Sequence, residues 1–236
     1  MSYPQSSSYA HLWFAICISV FGIVSLPLLL LQGKPQVDFP FGRILVGSTF
    51  AAICTLGIIA VFYPKKCQNN FLSTHSELAK YGDATVLFGK TSFTGHHPAC
   101  EKFSANRIQI RKTIFCASCA GLLVGAVIAL VGTLLYFFLN ATFFSTDLEY
   151  LVISSAGMLL GLVQLKFKGY AKLAANTLFV LFSFTTLVTV DFLGKNLLID
   201  FYALAIIVAV LLTRITFSQW NNRRTCSKCR SCSLHL

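Results

Sequence analysis

The sequence predicts an all-α polytopic membrane protein with six transmembrane helices and a small cytoplasmic zinc-ribbon-like loop. Three observations predict it. Hydrophobic residues fill 56% of 236 positions and charged residues only 11%, where a soluble domain carries about 25% charge. Six apolar runs approach the length of about 20 residues that a helix needs to cross a hydrocarbon core about 30 Å thick. The basic residues, finally, gather on one side of those runs.

The runs are Ala10–Leu31, Gly42–Tyr63, Ala120–Leu139, Leu148–Leu165, Leu173–Leu193 and Leu197–Phe217. Met1–Tyr9 holds no Lys or Arg, and the first run is too long for a signal-peptide h-region, so span one is expected to remain in the mature protein. Pro27 removes one intrahelical hydrogen bond from it and predicts a kink. Gly194-Lys195-Asn196 alone separates spans five and six, which predicts a tight antiparallel hairpin. Arg43, Asp191, Asp200 and Arg214 all fall near span ends, so no charge is expected deep in the bilayer.

With the N-terminus in the cytoplasm, the loop after span two carries Lys65, Lys66, Lys80, Lys90, Lys102, Arg107, Arg111 and Lys112. The turn after span four adds Lys166, Lys168 and Lys172, and the C-terminal region adds Arg214, Arg223, Arg224, Lys228 and Arg230. Only Lys34, Arg43 and Lys195 lie on the other side. This asymmetry follows the positive-inside rule and places both termini in the cytoplasm of a multi-pass cell-membrane protein. It also accounts for the net charge of +11, so the basic balance points to an anionic leaflet and not to nucleic acid. The chain divides into a first transmembrane hairpin (1–63), a cytoplasmic metal-binding loop (64–119), a four-helix transmembrane region (120–217) and a basic Cys-rich tail (218–236).

Cytoplasmic thiols stay reduced, so clustered cysteines read as metal-binding or catalytic before they read as disulfides. There are nine. Cys17 and Cys54 lie within spans and are most simply small buried hydrophobes, and Cys67 follows span two. The remaining six form two clusters. In the first, His97-x2-Cys100 precedes Cys116-x2-Cys119, with His96 as a fifth candidate ligand. Two pairs of soft ligands at this spacing close a tetrahedron around Zn²⁺. Between them Arg107-Ile108-Gln109-Ile110-Arg111 alternates polar and apolar, Lys112-Thr113 turns the chain, and Ile114-Phe115 returns, which predicts a short hairpin ending at Cys116. Four protein ligands close the shell, and closed shells are structural. A zinc deaminase requires Glu two residues after the His, where this chain has Ala99. The plain alternative is two reduced thiols packed under a loop. In the second cluster, Cys226, Cys229, Cys232 and His235 offer a second zinc or another thiophilic ion four ligands. The same run begins a bacterial ferredoxin pattern but lacks its Cys-Pro ending, and a basic tail without metal is the bland reading.

Gly95-His96-His97-Pro98-Ala99-Cys100-Glu101-Lys102-Phe103 and Cys116-Ala117-Ser118-Cys119-Ala120-Gly121 together resemble a group of small uncharacterised prokaryotic membrane proteins, mainly archaeal. These carry an HHPxC box, a short hairpin and a CxxCxG box leading into a helix. The resemblance covers about thirty of 236 residues and implies a membrane protein with that juxtamembrane box, but no activity. The group often has a further His between the boxes, where this chain reads Ala105-Asn106.

Gly121/Gly125 and Gly157/Gly161 are small-xxx-small pairs, which predict close packing of spans three and four within one chain. Span five carries a polar stripe, Asn176, Ser183, Thr185, Thr186 and Thr189, leading to Asp191; Ser and Thr there are expected to bond back to the preceding turn. No phosphate loop, dinucleotide fingerprint, nucleophile elbow or HExxH is present. The sequence therefore predicts a non-enzymatic membrane protein with a protein partner or an assembly role. The alternatives are a transporter or metal handler using the tail thiols, and a redox subunit with an iron–sulfur tail.

Overall fold

A computed structural model of the chain describes residues 5–32, 40–62, 93–94, 106–110, 113–141 and 147–227. Among these, six helices are long and apolar enough to cross a membrane. They are α1 (Gln5–Gln32), α2 (Pro40–Phe62), α3 (Ala117–Thr133), α4 (Leu148–Met158), α5 (Gly169–Gly194) and α6 (Leu197–Ser227). α3 continues as a π-helix over Leu134–Phe138. α4 breaks at Leu159, resumes over Leu160–Val163 and ends in a 3-10 turn at Gln164–Lys166, which together complete the fourth span. The outward faces carry large apolar side chains such as Trp13, Phe14, Phe21, Leu56 and Ile153, as lipid contact requires.

α5 is the centre of the bundle. Within its span 61% of residues are buried, against 22% in α1 and α2, and it packs on α3, α4 and α6. The two glycine pairs explain how, and they correct the expected partner. Neither faces the other. A Cβ on Gly121 would lie 2.3 Å from the carbonyl oxygen of Leu173, and one on Gly125 would meet Val180 and Thr177, all on α5. Gly157 and Gly161 instead seat the rings of Phe182 and Phe179, again on α5. Packing is within one chain, but both glycine faces serve the middle helix because α5 packs against both α3 and α4. The expected back-bonding of the stripe is present, for example from Ser183 to Phe179 O (2.9 Å) and Thr189 to Thr185 O (2.8 Å).

α1 is clasped to α6 by polar contacts inside the apolar bundle. Ser19 Oγ and Thr213 Oγ1 are 2.9 Å apart, and Ser25 Oγ and the Tyr202 hydroxyl 2.7 Å. Such pairs satisfy groups that lipid cannot. α1 remains helical through Pro27. Cys54 is buried, but Cys17 lies on the exposed outer face, where a thiol meets lipid at little cost.

The predicted hairpin forms. β2 (Arg107–Ile110) pairs antiparallel with β3 (Thr113–Cys116), with Arg107 opposite Cys116 and Ile108 opposite Phe115. Ile108 is buried and Gln109 exposed, as their alternation requires. A further strand, β1 (Phe93–Thr94), pairs parallel with β3, giving the order β1-β3-β2. Two residues carry no periodicity, which is why the sequence does not announce this strand. α3 starts at Ala117, earlier than its apolar run, because Cys116 is still extended and serves as N-cap. α6 runs on to Ser227, beyond the predicted end at Phe217, because its polar extension contains neither Pro nor Gly to stop it. The turn between α5 and α6 is tight, and the left-handed residue is Lys195 (φ 43°), whose N–H donates to Asp191 O at 3.2 Å.

Candidate functional site

Cys116 and Cys119 occupy the N-cap and third positions of α3. They therefore share the first turn, where backbone N–H groups lack helical acceptors and the dipole is positive. Both are buried, and neither is in a disulfide. β3 delivers Cys116 directly onto this turn, so the hairpin and the span are one continuous element.

Beneath the two sulfurs lie two buried cations. Lys172 and Arg214 are both within electrostatic reach of Cys116 and Cys119. Lys172 Nζ donates to Asn106 Oδ1 at 2.7 Å, tying the first turns of α5 to the residue that opens β2. Arg214 is 4% exposed and lies two turns inside its span. Its Nη2 donates to Asn176 Oδ1, and its guanidinium stacks on Phe179 with 5.0 Å to the ring centroid. Asn176 is held for that task, its amide donating to Lys172 O. Arg214 Nη1 is buried with no hydrogen-bond partner among the described residues. Thr177 closes the arrangement by donating to Gly121 O at 3.0 Å. The described carboxylates of α5 and α6, Asp191 and Asp200, belong to the opposite end of these helices.

That opposite end holds a second polar cluster. Arg43 Nε is 3.1 Å from Asp191 Oδ2, and Tyr136 donates to the same oxygen at 2.8 Å. Arg43 also donates to Asn140 Oδ1 at 2.9 Å and lies 4.8 Å above the Tyr136 ring. Tyr136 belongs to the π-helical segment, a feature frequent at functional sites. Asp200, one turn into α6, is buried within electrostatic reach of Asp191 and Arg43. The charges near span ends thus do fall where the sequence puts them, except Arg214. All but Arg43 turn fully inward.

Of the predicted ligands, Cys116 and Cys119 are brought together. His96, His97 and Cys100 lie outside the described residues, as do Cys229, Cys232 and His235. Cys226 lies in the last turn of α6, and its side chain is outside the description. Among the described residues no group of three or more His, Cys, Asp or Glu is placed to hold a metal. Lys172, Asn176, Arg214 and Asn106 are the site residues the sequence reading missed. Lys172 and Asn176 are one helical turn apart, and Arg214 interrupts an apolar run, but which way each points is decided by tertiary packing. Comparison of the chain with protein-family models, curated proteins and solved structures finds no match.

Proposed function

We propose that this is a non-enzymatic multi-pass membrane protein whose cytoplasmic face is organised by a structural zinc and serves a protein partner or an assembly. His97 (or His96), Cys100, Cys116 and Cys119 hold the ion. The observation that carries the reading is the pair of buried cations, Lys172 and Arg214, set beside two cysteines on a helix N-terminus with no carboxylate partner among the described residues. A buried charge is retained only when something compensates it. Zinc bound by three thiolates and one imidazole carries a net negative charge, and its sulfurs accept N–H donors. Neutral thiols carry no charge and accept only weakly. Lys172 and Arg214 then fasten the metal module to α5 and α6, so the loop's order depends on the bundle. A loop too short to bury a core of its own commonly relies on such an ion.

A second reading, metal handling by the tail, is favoured by one observation. α6 continues as helix to Ser227, which carries Cys226 out from the same end of the bundle as Cys116. Metal per chain, by elemental mass spectrometry on detergent-purified protein, separates the readings. The comparison is wild type against Cys116→Ser/Cys119→Ser and Cys226→Ser/Cys229→Ser. One zinc that survives the tail substitutions and is lost, with stability, in the loop variant supports the structural site. Labile metal lost only with the tail residues supports metal handling. Metal-free wild type purified under reducing conditions, with the loop variant equally stable, overturns both.

A further inference from the structure

α6 outruns the membrane it crosses. At a rise of about 1.5 Å per residue, a hydrocarbon core about 30 Å thick takes about 20 residues. Counted from Leu197 these end near Phe217, where the apolar run also ends, yet the helix continues to Ser227. On this extension Phe217 and Trp220 stack with ring centroids 5.8 Å apart, and the Arg224 guanidinium lies 5.5 Å from the Trp220 ring centroid. Steps of three and four residues bring the three side chains together on one side of the helix. Trp220 is half-buried and Arg224 exposed. The series runs from the edge of the hydrocarbon into the headgroup layer: a ring at the level tryptophan favours, then a cation one turn further out. The rest of this end has the same sign. Among the described residues its exposed charged side chains are Lys166, Lys168 and Arg224, whereas the opposite end exposes Asp147 and Glu149 beside Lys195. The segments that join this end outside the described residues keep the balance positive. The tail adds Arg223, Lys228 and Arg230 with no acid, and the loop between α2 and α3 has more Lys and Arg than its acids Glu77, Asp83 and Glu101.

We propose that Trp220 and Arg224 form a docking site for the headgroup of an anionic phospholipid. A guanidinium matches the phosphate oxygens geometrically, and its contact with the indole face fixes its plane at the headgroup level. Every phospholipid carries a phosphate, so preference for a net negative headgroup comes from the surrounding charge. Arg223, Arg224, Lys228 and Arg230, set directly after a span, form the kind of basic cluster that attracts anionic lipid. Depth favours a lipid over a soluble acidic partner. Phe217 and Trp220 put the site at the edge of the hydrocarbon, where a lipid headgroup already lies and a soluble chain would have to enter the interface. The site uses none of the proposed zinc ligands, so it stands or falls apart from that reading.

The test uses the chain's own fluorescence. Trp13 and Trp220 are its tryptophans, so Trp13→Phe, a change on an exposed outward face, leaves Trp220 as the single reporter. The full chain is reconstituted in phosphatidylcholine vesicles that contain phosphatidylglycerol, with brominated acyl chains on one lipid or on the other at equal mole fraction. Bromine quenches a tryptophan it touches, so the ratio of the two quenching efficiencies reads which lipid sits beside Trp220. Phosphatidylglycerol is expected to be enriched there about fivefold, the factor that one cation near the surface supplies. Arg224→Gln in the same background should bring the ratio close to unity. Lys195→Gln, which removes an exposed cation from the opposite end, should leave the enrichment unchanged. Arg224 is exposed, so its variant is expected to fold. Equal quenching by the two lipids with Arg224 in place, or an enrichment that survives Arg224→Gln, would overturn the site. A Trp220 response to soluble polyglutamate without any lipid preference would overturn it too, by assigning the face to an acidic protein.

Discussion

Arg43 and Arg214 show how differently two arginines can be used in one bundle. Arg43 is held by a carboxylate, an amide and a ring, with its side chain 35% exposed. Removing it alone takes the Arg43 ion pair from a buried carboxylate. Arg43→Met is expected to destabilise the chain by about 2 kcal/mol, below the 3–5 kcal/mol of a fully buried pair because the arginine is partly solvated. Arg43→Met/Asp191→Leu should recover most of that loss, since replacing both partners removes the two charges of the pair together. Melting temperatures of the two variants check it; a double variant no better than the single one would refute the pairing argument. Lys195 offers a test of a different kind. It adopts a left-handed conformation (φ 43°) although Gly194 stands beside it. An L side chain there costs about 1–2 kcal/mol, so Lys195→Gly should stabilise the chain by about 1 kcal/mol.

At the scale of elements, α5 organises the rest because small residues on its neighbours let it approach them. Gly121 sits against the carbonyl of Leu173, so even a methyl group must push α3 and α5 apart. Gly121→Ala is expected to cost about 1–3 kcal/mol and to disturb the Thr177–Gly121 bond that positions the cysteine turn. Gly57→Ala meets nothing within 4 Å and should be neutral or slightly stabilising through helix propensity. Thermal melts of the two variants, side by side, decide it. These elements also show what could be read in advance. The six spans, the hairpin of β2 and β3 and the turn at Lys195 were legible because each rests on local pattern: run length, alternation and a polar interruption. The partner of the glycine faces was not, since a small-xxx-small pair states that a helix comes close and not which helix. Lys172 and Arg214 were hidden for the same reason. Counting charge along the chain assigns them to a leaflet, whereas packing turns them inward beneath Cys116 and Cys119.

Across the described residues, buried charge is sorted to opposite ends. Buried cations lie with the sulfurs, and buried carboxylates lie with Arg43. Asp200 is one turn into α6, at the positive end of its dipole, and Arg214 is in the half nearer the negative end, so each is placed where the helix itself favours it. The orientation proposed from the basic loops then assigns a compartment to each end. On that orientation the cysteine end would face the cytoplasm, where thiols stay reduced and metal binding is the natural use of clustered cysteine, and the Asp200 end would face outward. This is testable with two exposed lysines at opposite ends, Lys195 and Lys168. Lys195→Cys in intact cells should react with a membrane-impermeant maleimide, and Lys168→Cys should react only after permeabilisation. Wild type is the control for the native thiols. The reverse pattern would place both cysteine clusters in an oxidising compartment, where a disulfide would replace the metal as the natural partner of Cys116 and Cys119. The orientation measurement therefore decides between two chemistries for the same two sulfurs, while leaving the pairing of Arg43 with Asp191 to stand on its own test.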